Sequence, residues 1–152
     1  MAEKQSYFRT IRKISEAFGT TKDMDVLCQL IVDSALDTMK VKAVCLFLTD
    51  AERETFTVVA QKGLSQQYLH AGYGHAEKIT PILMKDGFIY YRDATTDPRL
   101  ENLDKKKAEG IGSILVVPAK LKGELIGVLT IYTSKIREFD KEEIEFLRVL
   151  AE

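Results

Sequence analysis

Few side chains in this sequence have the type and spacing to do chemistry. His70 and His75 are the two histidines. Either could ligate a haem or a metal. They lie five apart with no cysteine beside them, so they form no i, i+4 helical pair and read as partly exposed loop histidines. Asp93 and Asp97 could pass for a general acid and base. Within Asp-Ala-Thr-Thr-Asp-Pro-Arg they read more simply as turn and cap residues. Lys105-Lys106-Lys107 is a basic run, ordinarily a solvated helix face. Its alternative role is to meet an anionic ligand together with Arg99. Tyr73, Tyr90 and Tyr91 read as core or rim aromatics. There is no Ser-His-Asp order, no G-x-S-x-G and no phosphate-binding P-loop. The residues therefore predict no catalytic centre and no metal site: the chain reads as a non-enzyme.

Composition agrees. The chain has 152 residues, of which 45% are hydrophobic and 30% charged, with a net charge of −1. That is one domain's length and a globular balance. A binder of nucleic-acid phosphates usually carries a basic excess, so none is expected here. Cys28 and Cys45 cannot build a disulfide framework. Both fall in apolar stretches, where a cysteine acts as a small buried hydrophobe. The polar N-terminus has no signal-peptide run. The apolar stretches, such as 114–119, are far shorter than the roughly 20 residues of a membrane span. A cytoplasmic protein is expected.

The elements that must position these residues follow from periodicity. Tyr7, Phe8, Ile11, Ile14 and Phe18 mark an amphipathic helix ending at Gly19. Thr20, Thr21 and Asp23 offer caps for a second helix to about Lys40, burying Leu27, Leu30, Ile31, Leu36 and Met39. Val41 to Leu48 is apolar on both faces, as a central strand must be. A polar turn leads to a second strand, Thr55 to Ala60. Gly63 to Tyr91 is broken by glycines, with a short helix expected over Glu77 to Lys85 and a strand at Phe88 to Tyr91. Leu103 to Glu109 is a polar helical turn. Ser113 to Ala119 and Glu124 to Tyr132 form a hairpin around Gly123, with Pro118 where the ladder bulges or ends. Asp140 and Glu143 form a capping-box pattern before Ile144, Leu147 and Leu150. Consecutive hairpins with helices gathered at the chain ends predict an α+β fold. Its central antiparallel sheet has five to six strands. The N- and C-terminal helices lie on one face and a mixed helix and loop segment covers the other.

The stretch Ile111-Gly112-Ser113-Ile114-Leu115-Val116-Val117-Pro118, followed by Gly123-Glu124-Leu125-Ile126-Gly127-Val128-Leu129, resembles the GAF domain pattern. Phe139-Asp140 opening the last helix, Gly87 before a short strand, Asp93 and Asp97-Pro98-Arg99 match it as well. The resemblance covers nearly the whole chain, and the fold it implies is GAF/PAS-like. It implies that the Val41 to Leu48 and Leu125 to Tyr132 strands pair at the sheet centre. GAF domains bind cyclic nucleotides, bilins, haem or small metabolites, and many act only as dimerising modules. The Asn-Lys signature of cyclic-nucleotide binders is missing, since Asn102 precedes Leu103. The loop cysteines of bilin binders and sulfoxide reductases are missing too.

The resemblance implies a sensory, regulatory domain in signal transduction that binds a small ligand or a partner and biases an output domain. That output would be a histidine kinase, a nucleotide cyclase or a transcriptional regulator. Residues 1–152 would be one GAF domain excised from a longer protein. The alternative is a ligand-free dimerisation module. Polar side chains buried under the mixed segment, beyond what the fold needs, would distinguish the sensor. The ligand itself is not named by any motif. Gly63 to Gly110 is expected to form a lid, because binding residues concentrate in irregular segments on rigid scaffolds. Tyr73, His75, Tyr91, Asp93, Thr96 and Arg99 are the candidates to line it, with Arg99 offering a fork of donors to an anion. Residues 1–13 carry a net +3 and residues 138–152 a net −4. The terminal helices are therefore expected to pair and to build a homodimer.

Overall fold

The computed structural model describes residues 24–50, 55–66, 83, 85–100, 103–121 and 124–150. The expected first helix, its part in a dimer and most of the Glu77 to Lys85 helix lie outside these residues.

Helix α1 spans Met24–Met39 and strand β1 spans Ala43–Asp50. In α1, Leu27, Ile31, Val32, Ala35 and Met39 recur at helical spacing and all are buried. Leu30 and Leu36 pack partly buried against the same core. Asp25 sits in the first turn, where its charge suits the helix dipole. The helix stops at Lys40, which takes a left-handed conformation with φ of 54°. The strand consequently begins at Ala43 rather than at Val41, because Lys40 to Lys42 form the turn.

Strand β2 spans Thr55–Lys62, β3 Ile89–Tyr91, β4 Ile114–Leu121 and β5 Glu124–Tyr132. They form one antiparallel sheet in the order β2-β1-β5-β4-β3. Strands β1 and β5 pair at its centre, with Leu46 opposite Leu129 and Phe47 opposite Val128. This is the pairing the resemblance implied. Gly127 explains its own place in the Ile-Gly-Val-Leu run: a Cβ there would lie 2.0 Å from the Phe47 carbonyl oxygen. Pro118 is tolerated because β3 pairs only with Ile114 to Val116 of β4, leaving Pro118 beyond the end of that short strand. The ladder to β5 shifts register just after it, between Ala119 and Lys120.

The two faces of the sheet have different covers. Val44, Leu46, Leu115, Val117, Leu129 and Ile131 face α1 and helix α3, Lys141–Leu150. Phe146, Leu147 and Leu150 seal that side, whereas Val149 is 40% exposed. Asp140 Oδ1 accepts from the Glu143 N–H at 2.8 Å and Glu143 Oε1 accepts from the Asp140 N–H at 3.0 Å. This reciprocal pair is the expected capping box. The opposite face carries Cys45, Phe47, Ile89, Tyr91, Val116, Val128 and Tyr132, covered by Leu64, Leu83, Ala94 and Ile111. The terminal helix and the described parts of the mixed segment thus lie on opposite faces, as expected. The polar helix α2, Leu103–Glu109, buries none of its side chains.

Candidate functional site

Two sets of hydrogen bonds fix the described parts of the mixed segment. Beyond β2, the Ser65 N–H and hydroxyl both donate to the Glu109 carboxylate at 2.7 Å. This clasp brings the exit of β2 against the end of α2. At the sheet end, the Ala94 N–H donates to the Gly112 carbonyl at 2.8 Å, fixing the loop after β3 to the start of β4.

Tyr91, Asp93, Thr96 and Arg99 lie on β3 and the loop that follows it. Tyr91 is 6% exposed and belongs to the covered face of the sheet. Burial pushes its hydroxyl pKa up, partly opposed by the nearby Arg99 charge. The Arg99 guanidinium carbon stands 4.6 Å from the centroid of the Tyr91 ring, a cation–π contact. The fork of Arg99 closes on Asp97: Nε donates to Oδ1 at 3.0 Å and Nη2 to Oδ2 at 2.7 Å. Nη2 also donates to the Tyr90 carbonyl at 3.1 Å. Among the described residues, Nη1 is the guanidinium nitrogen with no hydrogen bond. One edge of Arg99 is thus left unengaged, while its other donors serve the loop.

Asp93 and Asp97 are loop builders. Asp93 Oδ1 accepts from the Thr95 hydroxyl at 2.7 Å and from the Thr95 N–H at 3.0 Å. These bonds, the hydroxyl's foremost, hold its pKa below the ordinary carboxylate range. The Arg99 side-chain hydrogen bond does the same for Asp97, and that bond, followed by the Asp97 charge, raises the pKa of Arg99 against the effect of burial. Thr96 is exposed on the outside of the turn. Tyr73 and His75, like His70, lie outside the described residues. Lys105 and Lys107 of α2 are exposed and Lys106 is half-buried, mostly the solvated face that the charge run suggested.

Cys45 sits in the covered face, where burial drives its thiol pKa to about 12. Cys28 is half-buried on α1, and burial followed by the Asp25 charge raises its pKa too. Both thiols stay protonated and unreactive near neutral pH. Among the described residues, no group of three or more His, Cys, Asp or Glu could hold a metal, and no helix is long and apolar enough to cross a membrane.

Sequence reasoning missed Arg137. It donates through Nη1 to the Met39 carbonyl at 2.9 Å and through Nη2 to Glu143 at 2.7 Å, joining the end of α1 to the start of α3. It also missed Ser113, which is fully buried. The Ser113 hydroxyl donates to the Arg92 carbonyl at 2.6 Å and accepts from the Arg137 N–H at 2.9 Å. Neither residue stands out in the sequence, because apart from Glu143 the partners named here lie 21 to 98 positions away.

The family model of the GAF domain matches residues 23–152. No curated protein matches the chain. Among solved structures, the GAF domain of a phosphoenolpyruvate-protein phosphotransferase from Coxiella burnetii is 21% identical, with a TM-score of 0.81, over 97% of this chain and 89% of that one. The phycocyanobilin-bound GAF domain of a cyanobacterial phytochrome is 17% identical, with a TM-score of 0.75, over 95% and 89%. A GAF domain/HD domain protein from Geobacter sulfurreducens is 19% identical, with a TM-score of 0.68, over 85% and 87%.

Proposed function

Because the chain belongs to the GAF domain family, we propose that it is a sensory, regulatory domain, not an enzyme. It binds a small molecule between the sheet and the mixed segment and biases an output domain of the cytoplasm. Thr130 is the observation that carries the reading. It is 5% exposed and stands in register between Cys45 and Val116, in the middle of an otherwise apolar face. Its hydroxyl is a polar group set between a cysteine and a valine on the face that the mixed segment covers, where it can orient a ligand. Tyr91 and Tyr132 add polar tips to the same face. The unengaged edge of Arg99 supports a ligand with a negative or carbonyl oxygen.

The neighbours support the class of role. One holds a bilin and another is a GAF domain/HD domain protein. With Cys45 buried and protonated, a ligand here is held without a covalent thioether bond. Titrating the labelled protein with a metabolite library tests the reading. Shifts are expected at Tyr91, Thr130 and Arg99; shifts confined to α1 and α3 would overturn it.

A second reading, a dimerisation module, is favoured by Val26 and Val149. They are 53% and 40% exposed on two helices that contact each other. Sedimentation tests it: a monomer at every concentration would exclude a dimer built by this chain alone.

A further inference from the structure

A second site lies at the end of the sheet where β1 starts and β5 ends. The Lys42 N–H donates to the Tyr132 carbonyl at 3.0 Å, and Ala43 pairs with Tyr132. That register sets Lys40-Val41-Lys42 directly across from Thr133-Ser134-Lys135-Ile136-Arg137. Between them is a half-open cleft of about 260 Å³ lined by Lys40, Lys42, Ser134, Lys135 and Arg137. No carboxylate lines it. Of the four cations, Arg137 is paired with Glu143. Lys40, Lys42 and Lys135 have no ion pair among the described residues. In a chain with net charge −1, this is a local concentration of uncompensated positive charge.

Lys40 is an independent sign. It occupies the position after a helix where the left-handed conformation makes glycine the usual residue. A lysine there carries a steric cost that glycine would relieve.

We infer that this cleft is a binding site for a phosphate dianion, either inorganic phosphate or the phosphate group of a small monoester. The available donors decide the ligand class. The Arg137 fork, which would suit a carboxylate, is engaged by Met39 and Glu143. What remains is three ammonium groups and the Ser134 hydroxyl, point donors that suit a compact, doubly charged anion. The bound dianion sits beside the guanidinium that joins α1 to α3, so occupancy is felt at both helices.

The test is a nuclear magnetic resonance titration with inorganic phosphate and with glycerol 3-phosphate, against sodium chloride at matched ionic strength. Saturable shifts are expected at 40–42 and 133–137 with the two phosphates. The Lys42→Gln/Lys135→Gln double variant should weaken binding at least about tenfold, since charged hydrogen bonds are lost. Lys40→Gly should raise the melting temperature in phosphate-free buffer while weakening phosphate binding. Equal shifts with chloride, or unchanged affinity in the double variant, would overturn the inference. So would binding only to phosphatidylcholine vesicles carrying phosphatidic acid, which would make the patch a membrane contact.

Discussion

Arg99 lies over the ring of Tyr91 while its fork closes on Asp97. The arrangement places a cation at the edge of the covered sheet face without leaving it unbalanced. Asp97 is mostly shielded, its side chain 13% exposed against 55% for Arg99. The ion pair is therefore a built part of the loop, and the fork of the guanidinium is already engaged.

Acid should loosen this loop. The Asp93 and Asp97 carboxyls both have lowered pKa values in the folded chain, Asp97 chiefly through Arg99. A depressed folded pKa contributes stability above the unfolded value, near 3.9, and that contribution is lost as pH falls through the lower folded value. Melting temperature should accordingly hold steady down to about pH 5 and fall below about pH 4. Asp97→Asn should flatten that acid limb. Thermal melts across the acid range check both statements.

Central placement of β1 and β5 makes two substitutions severe. Gly127→Ala would drive a methyl group into the Phe47 carbonyl, a backbone atom that cannot yield cheaply. A loss of about 3 kcal/mol or more is expected from urea unfolding. Val128→Asp places a carboxylate at a site 2% exposed, and the domain should not fold. A wild-type melting temperature in the Val128 variant would contradict the sheet order.

Ser113→Ala removes the link between Arg92 and Arg137, leaving a carbonyl and an N–H without their partner. A cost of about 1–3 kcal/mol is expected. Hydrogen exchange should then quicken at Arg137, the amide that loses its acceptor.

The strands and the last helix were legible because each has a local signature. Val44 to Phe47 is apolar on both faces, and the capping box lies within four consecutive residues. The pairing of β1 with β5 came from the resemblance rather than from periodicity. The site was legible in part. Aspartate and threonine beside proline announce a loop, and Asp93 with Thr95 and Asp97 with Arg99 are two residues apart. The stacking of Arg99 on Tyr91 depends on how the loop turns back on β3. The Lys40 and Lys135 cleft was invisible for a like reason: only the β1–β5 register brings those residues together.

Thiol labelling separates this domain from cysteine-linked bilin carriers. With its pKa near 12 and its side chain buried, Cys45 should resist a thiol reagent near neutral pH and react only in denaturant. Mass mapping after brief labelling reads the result.

The most direct test of a small-molecule sensor is native mass spectrometry of the freshly purified protein, followed by the same measurement on Thr130→Val. A sensor should carry or take up a small molecule of defined mass, and the Thr130 variant should lose it while keeping its fold. A wild-type protein that holds no ligand after exposure to a cell metabolite extract would contradict the account.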